Sequence, residues 1–234
     1  MKAIIKSYFL TVLFLVAFIL FVRLGFWQLD RADQKNTINS EYVKRQAEEI
    51  IEDESLISEK LLWRKFIISG KFIEPNIFLD NQMNYRTAGY VILTPYKTIN
   101  NKIILINRGW HPLPELRNQI PRIEKNIDKK LVGVLTPIPA HGIVLGGNNY
   151  EEINSQSIRI QRVDLDELIS KLNIEKFDLY PFMLTLTDPI DKNLTSNLIL
   201  PVSDSEKNYG YAFQWFAFAL TLLIIFVVLR KKKK

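Results

Sequence analysis

Apolar residues in this chain gather at its two ends, while its middle alternates short apolar runs with polar breaks. Tyr8–Val22 and Tyr209–Leu229 are the two dense segments. The second carries only Gln214 as a strongly polar residue, and at about 1.5 Å per residue it covers a hydrocarbon core of roughly 30 Å. It is expected to be a membrane-spanning helix over 209–229. The first segment is shorter, but Ile4 and Ile5 extend it behind Lys6, and Leu24 to Trp27 extend it beyond Arg23. Long cationic side chains near helix ends reach the interface, so a span over 8–27 is expected. The competing reading is a cleaved signal peptide. That reading needs small residues at a cleavage site, whereas Arg23-Leu24-Gly25-Phe26-Trp27 is bulky.

Between the spans, residues 28–208 change texture twice. Asp30 to Ile51 is polar, with Ile38, Tyr42, Val43, Ala47, Ile50 and Ile51 near helical spacing, which predicts an amphipathic helix leaving the membrane. From Trp63 onward, β-rich runs occupy Phe66–Phe72, Ile77–Asp80, Tyr90–Tyr96, Ile103–Asn107, Leu131–Leu135, Ile158–Val163 and Phe182–Thr187. Turn residues separate them at Glu74-Pro75-Asn76, Thr98–Lys102, Pro139–Gly142 and Gly146–Asn149. Asp164, with Glu167 three residues on, predicts the N-cap of one short helix. The expected fold is a membrane-anchored α+β protein: two transmembrane helices bracketing a mainly antiparallel β domain, barrel- or sandwich-like, with a few helices.

Charge sets the orientation. Lys2 and Lys6 precede the first span, and Arg230 with Lys231 to Lys234 follows the second. By the positive-inside rule both termini (1–7 and 230–234) are cytoplasmic and the middle is exported. Trp27 and Trp215 then fall near one outer interface. The sequence pI near 9.3 and net charge of +6 do not point to nucleic acid. Seven of the 31 Lys and Arg flank the spans on their outer sides; the remaining 24 face 25 Asp and Glu, so the basic excess is topogenic, with an attraction to anionic lipid at the tail. The absence of cysteine removes disulfides, thiolate metal sites and cysteine nucleophiles.

Catalytic motifs do not stand out. No phosphate-binding Gly-rich loop, His-Glu-x-x-His or Gly-x-Ser-x-Gly is present, and the two histidines, His111 and His141, lie apart in sequence. Two isolated histidines read as turn or surface residues rather than a metal site. Asp164 with Asp166, and Glu151 with Glu152, read as a helix cap and a solvated loop rather than as acid–base pairs. No enzymatic activity is expected.

Aromatic, Gly and Arg clusters carry the remaining signal. Leu24, Gly25, Trp27, Gln28 and Arg31 match a Leu-Gly-x-Trp-Gln-x-x-Arg pattern; Gly70 and Phe72 match Gly-x-Phe; Gly89, Tyr90 and Pro95 match Gly-Tyr followed by Pro; Asn107, Arg108, Gly109, Trp110 and Pro112 match Asn-Arg-Gly-Trp with a following Pro. In this order, bracketed by two spans, they resemble the SURF1 family of cytochrome c oxidase assembly proteins over nearly the whole chain. The resemblance implies a noncatalytic task in early maturation of the haem-bearing catalytic subunit, with that subunit and its haem a supply as partners alongside the bilayer. The bacterial inner membrane is the expected location, since no Arg- and Ser-rich presequence precedes the first span.

Many relatives carry Asn-x-His-Leu-x-Tyr-Ala-x-Thr-Trp at the second span, with the His proposed as a haem a ligand. Aligning Tyr211, Ala212 and Trp215 puts Asn208 in that place and Gln214 where Thr is usual. Asn is a poor iron ligand. The Trp that relatives carry before the late-helix Asp is also missing, for the stretch reads Ile158 to Asp164. Two readings stay open for the collar residues. Trp27 and Trp215 are interfacial anchors or client contacts; Arg31 and Arg108 meet haem propionates or a client carboxylate, or satisfy an acid within the protein. Gln28 and Gln214 are placed to bond between the helices, with Gly25 and Gly210 permitting close approach. Gly109 is expected to serve a strand-end turn. The alternatives are a haem a carrier, or an anchored scaffold or ligand-binding domain unrelated to respiration.

Overall fold

The computed structural model describes residues 2–116, 119–124, 130–139, 149–198 and 205–231. The chain divides into two compact units, Met1–Val43 with Leu200–Lys234, and Lys44–Ile199.

The first unit is a pair of helices, α1 (Lys2–Ala47, 46 residues) and α3 (Glu206–Lys231, 26 residues). Both are long and apolar enough to cross a membrane. Most of their apolar side chains are uncovered, among them Phe9, Val12, Val16, Ile19, Phe213, Leu220 and Ile224. In water such surface is unfavourable by about 25 cal/mol per Å², so these helices anchor the chain in a bilayer. The expected span and the expected amphipathic helix after it are one unbroken helix. No proline interrupts it, and Gln34 bridges Asp30 and Arg31 at helical spacing just past the apolar stretch.

The seam between α1 and α3 follows a three-four alternation. On α1 the covered or half-covered positions include Thr11, Phe14, Phe18, Phe21, Gly25, Gln28, Ala32 and Lys35; on α3 and the residue before it they include Ser205, Asn208, Ala212, Trp215, Ala219, Leu222 and Phe226. This is the heptad spacing of knobs-into-holes packing. The pairing is antiparallel: Phe14 stacks on Phe226 at 4.1 Å between centroids, Phe21 meets Trp215 at 5.7 Å, and Phe26 meets Phe216 edge-on at 5.3 Å.

The second unit is built on one nine-stranded sheet: β1 (Lys65–Ile68), β2 (Gly70–Phe72), β3 (Asn76–Asn84), β4 (Thr87–Thr98), β5 (Ile103–Pro112), β6 (Leu131–Pro137), β7 (Tyr150–Asn154), β8 (Ser157–Ile160) and β9 (Leu179–Leu186). The strand order is β1-β6-β9-β5-β4-β3-β8-β7, with β2 continuing beside β4 in line with β3. Pairing is antiparallel except for β3 with β8 and β5 with β9. The expectation of terminal helices around a mainly antiparallel sheet holds, but the sheet is open and does not close into a barrel.

Both faces of the sheet's middle are covered. Val91, Leu93, Ile103 and Leu105 join one cluster with Leu168 of the short helix α2 (Leu165–Leu172), while Ile104 and Ile106 join Phe66, Tyr96 and Leu184 in a second, and Tyr90 and Ile92 join Phe78 in a third. That is why Tyr90–Tyr96 and Ile103–Ile106 read as continuous apolar runs rather than alternating ones. The run expected over Phe66–Phe72 is two strands broken at Ser69, because Gly70 lies against the Lys97 carbonyl, which a Cβ would approach to 2.1 Å. Strand β7 was not expected. Tyr150 and Ile153 are out of period-two register, so only the ladder with β8 makes this segment a strand.

Helix α2 begins as expected: the Asp164 carboxylate accepts from the Glu167 N–H at 3.2 Å, and Asn173 ends it in the left-handed region at φ 50°. Replacing Asp164 with Ala should lower stability by about 1 kcal/mol, read as a lower denaturation midpoint of the full chain in detergent. Asp164→Asn, which keeps an acceptor, should recover most of the loss.

Candidate functional site

The residues singled out in the sequence divide between the two units, and in each unit some of them come together.

In the sheet, the motif residues surround one bulge. Along β5, Ile92 of β4 faces Gly109 while Leu93 faces Asn107, so Arg108 is the extra residue. Gly109 adopts φ +132° and lies so close to the Thr195 carbonyl that a Cβ would stand 2.6 Å from it. Sequence reasoning placed this glycine at a strand end; the strand instead continues to Pro112. The bulge needs glycine for the same backbone reason that a turn would. Asn107 braces it, accepting from the Gly109 N–H at 3.1 Å and donating to Thr185 at 3.4 Å.

The bulge turns Arg108 inward, where it is 1% exposed. Its Nε donates to Asp191 Oδ2 at 2.9 Å, and its Nη2 lies 2.8 Å from the same oxygen as an ion pair. Nη2 also donates to the Glu124 carbonyl at 2.8 Å, and the Glu124 N–H donates to Asp191 Oδ1 at 2.7 Å. Phe72 lies 4.5 Å beneath the guanidinium carbon. Burial lowers the guanidinium pKa from its ordinary value, and the charge and hydrogen bond of Asp191 work against that shift. Of the two readings open for Arg108, pairing with an acid inside the protein is what the structure shows, and nothing of its side chain is displayed at the surface.

The Gly-x-Phe and Gly-Tyr motifs support the same core. Phe72 meets Tyr96 edge-on at 5.0 Å. Gly89 gives room to the Trp110 ring, which a Cβ would approach to 2.3 Å, and Trp110 donates its ring N–H to the Gln82 carbonyl at 2.8 Å. Tyr90 is fully buried, edge-on to Phe78 at 5.8 Å, with Arg159 over its ring at 5.5 Å.

In the helical unit, Gly25 lies under Phe216, whose ring a Cβ would approach to 2.6 Å. One turn further, apolar packing gives way to a polar clamp. Asn208 donates to Gln28 at 2.6 Å and accepts from Lys35 at 2.8 Å. Asn36 donates to the Tyr209 hydroxyl at 3.0 Å and accepts from Ser205 at 2.7 Å. Gln28 thus bonds across the seam as expected. Gln214 does not: it is exposed on α3, and Gly210 faces open space rather than α1. Trp27 and Tyr211 are about half exposed, at 54% and 53%, and Trp215 is covered by Phe21 and Phe218. Arg31 donates to Gln34 at 2.9 Å on the helix surface.

The remaining candidates are dispersed. His111 sits on β5 with Nδ1 2.6 Å from the Pro112 carbonyl, and His141 lies outside the described residues. Glu151 and Glu152 are on β7, not in a loop, and pair with Arg159 and Lys171. Asp166 pairs with Lys176. At the position where the resemblance implies a haem ligand, both polar atoms of the Asn208 amide are engaged by α1, so the side chains present do not fit an iron site there. Sequence reasoning missed Asp191, Glu124, Lys35, Asn36 and Ser205. The three-four spacing of Gln28, Ala32 and Lys35 was the available signal for the clamp; Asp191, in an ordinary polar stretch, gave none.

Removing one partner of a buried pair leaves an uncompensated charge at a cost of about 3–5 kcal/mol. Asp191→Ala should therefore strongly lower the denaturation midpoint of the full chain. Combining it with Arg108→Met should cost clearly less than the two single losses added together. Additive losses would show that the pair is not coupled.

A profile of the SURF1 family matches residues 15–220, from inside α1 to inside α3. The chain is similar to proteins described as SURF1-like from Rickettsia bellii (29% identical, over 93% of this chain and 89% of the relative), Rickettsia prowazekii (29%, over 93% and 88%) and Rickettsia felis (27%, over 93% and 95%). A match embracing both anchors and the sheet between them is not a shared fragment: the chain belongs to the SURF1 family.

Proposed function

We propose that this protein is a non-enzymatic assembly factor for haem–copper cytochrome c oxidase, which stabilises the early catalytic-subunit intermediate while cofactor is inserted and later subunits join. The observation that carries this reading is the family match that covers the whole sheet and reaches into both membrane helices. The site geometry supports it. The polar motif residues Asn107, Arg108 and Asn208 are engaged in holding the scaffold, which suits a protein acting through its surface. In this reading both termini are cytoplasmic and the β domain is periplasmic at the bacterial inner membrane, as the flanking Lys and Arg direct. The anchor confines factor and client to one membrane, raising their effective concentration. The exposed aromatics Phe26, Trp27, Tyr211 and Phe213 suit both the interface and a client contact.

The haem a carrier reading is not favoured, because the Asn208 amide is bonded to Gln28 and Lys35. Assistance to haem insertion then works by holding the client open, not by ligating iron.

Deleting the gene should reduce both oxidase activity and haem a content of the membranes severalfold. Oxidase unchanged in both respects would overturn the proposal. Protein purified in detergent from cells making haem a should be colourless; a stoichiometric haem spectrum would restore the carrier reading.

A further inference from the structure

Toward the basic end of α3, the two membrane helices part on one flank. A cleft of about 560 Å³ opens there, lined mostly by apolar residues such as Leu13, Phe14, Ala17 and Phe226, with Thr11 its polar and Arg230 its charged lining residue among the described residues. Its volume is within the range of specific small-molecule sites. Ala17 is the cause on α1: its small side chain leaves space beside the Phe14–Phe226 stack that a larger residue would fill. Arg230 does not simply trail into water. Its guanidinium carbon stands 5.1 Å over the Phe226 ring, which holds the charge at the mouth of the cleft.

We infer that this cleft binds one anionic glycerophospholipid, with an acyl chain between α1 and α3 and the phosphate on Arg230. The inference rests on reading α1 and α3 as membrane-spanning. A mostly apolar cleft at membrane depth is filled by hydrocarbon, because water and polar ligands find few partners there. The charge at its mouth selects the headgroup. Arg230 presents a planar set of donors matched to a phosphate, and Lys231 follows directly in a run of cations. A zwitterionic headgroup would bring its own ammonium into that positive field; an anionic one brings only attraction. The lipid would also brace the hairpin at the end opposite the Asn208 clamp, where Phe14 stacks on Phe226.

The test uses the full chain in a mild detergent, with native mass spectrometry after addition of phosphatidylglycerol or phosphatidylcholine of the same acyl chains. One phosphatidylglycerol should be retained, favoured about five-fold or more, as one interfacial cation contributes. Arg230→Ala should abolish the preference. Ala17→Phe, which fills the cleft, should weaken retention with Arg230 still present. Replacing Lys232, Lys233 and Lys234 together with Ala should leave the single bound lipid in place. Equal retention of both lipids, or a preference lost with the three lysines and not with Arg230, would overturn the inference, as would a second copy of the chain in the cleft, seen as a dimer without lipid. Release of the chain from membranes by alkaline carbonate would instead refute membrane spanning, a separate outcome.

Discussion

A guanidinium cannot be buried alone, and the sheet of this protein is arranged around that constraint. Arg108 is inserted by a bulge, reaches Asp191 and the Glu124 backbone, and lies on Phe72. Each neighbour then acquires a requirement of its own. Gly109 must take a positive φ and leave room for the Thr195 carbonyl. Phe72 must be carried by a short strand that leans on β4, which Gly70 permits by its close approach to Lys97. Asp191 must sit in a late segment of chain whose neighbour Leu194 packs against Phe78 and Ile92. Buried ion pairs gain little net stability against apolar packing of the same volume. The role that fits Arg108 is to fix one arrangement of three distant chain segments.

The helical unit solves a different problem with related means. In a hydrocarbon core, apolar packing does not distinguish one register of two helices from another, since lipid tails are equally apolar. Register must come from shape and from hydrogen bonds. Phe216 over Gly25 supplies the shape, and Asn208 between Gln28 and Lys35 supplies the bonds. A polar residue on a heptad seam specifies register at some cost in stability, and here it does so where apolar packing ends. The side chain at the position that resemblance associates with an iron ligand thus has a structural occupation in this chain.

What the sequence made legible follows from how far each signal reaches. The anchors were legible because a membrane imposes about twenty apolar residues, and the α2 start because a cap is a contact over three residues. The central strands were legible as apolar runs. Strand β7 was not, since Tyr150 and Ile153 do not alternate and its pairing with β8 is a tertiary fact. The bulge was hidden because Asn-Arg-Gly looks like a strand ending; only the partner strand shows that it continues. Asp191 was hidden because nothing local distinguishes an acid that will be buried from one that stays in water. The continuity of α1 was missed because a change from apolar to polar texture resembles a boundary, though the seam spacing runs through it.

Family membership, a bilayer anchor and motif residues committed to internal contacts are together consistent with the proposed role of an assembly factor that acts through its surface. Under the proposed function, the client is the catalytic subunit of the oxidase before the later subunits arrive. The most direct measurement is affinity isolation of the full chain from detergent-solubilised membranes of cells lacking the later oxidase subunits, with quantification of the co-isolated catalytic subunit. That subunit should be recovered at near-stoichiometric levels, falling when the complete oxidase is allowed to assemble. Its absence from the isolate under both conditions would contradict the account.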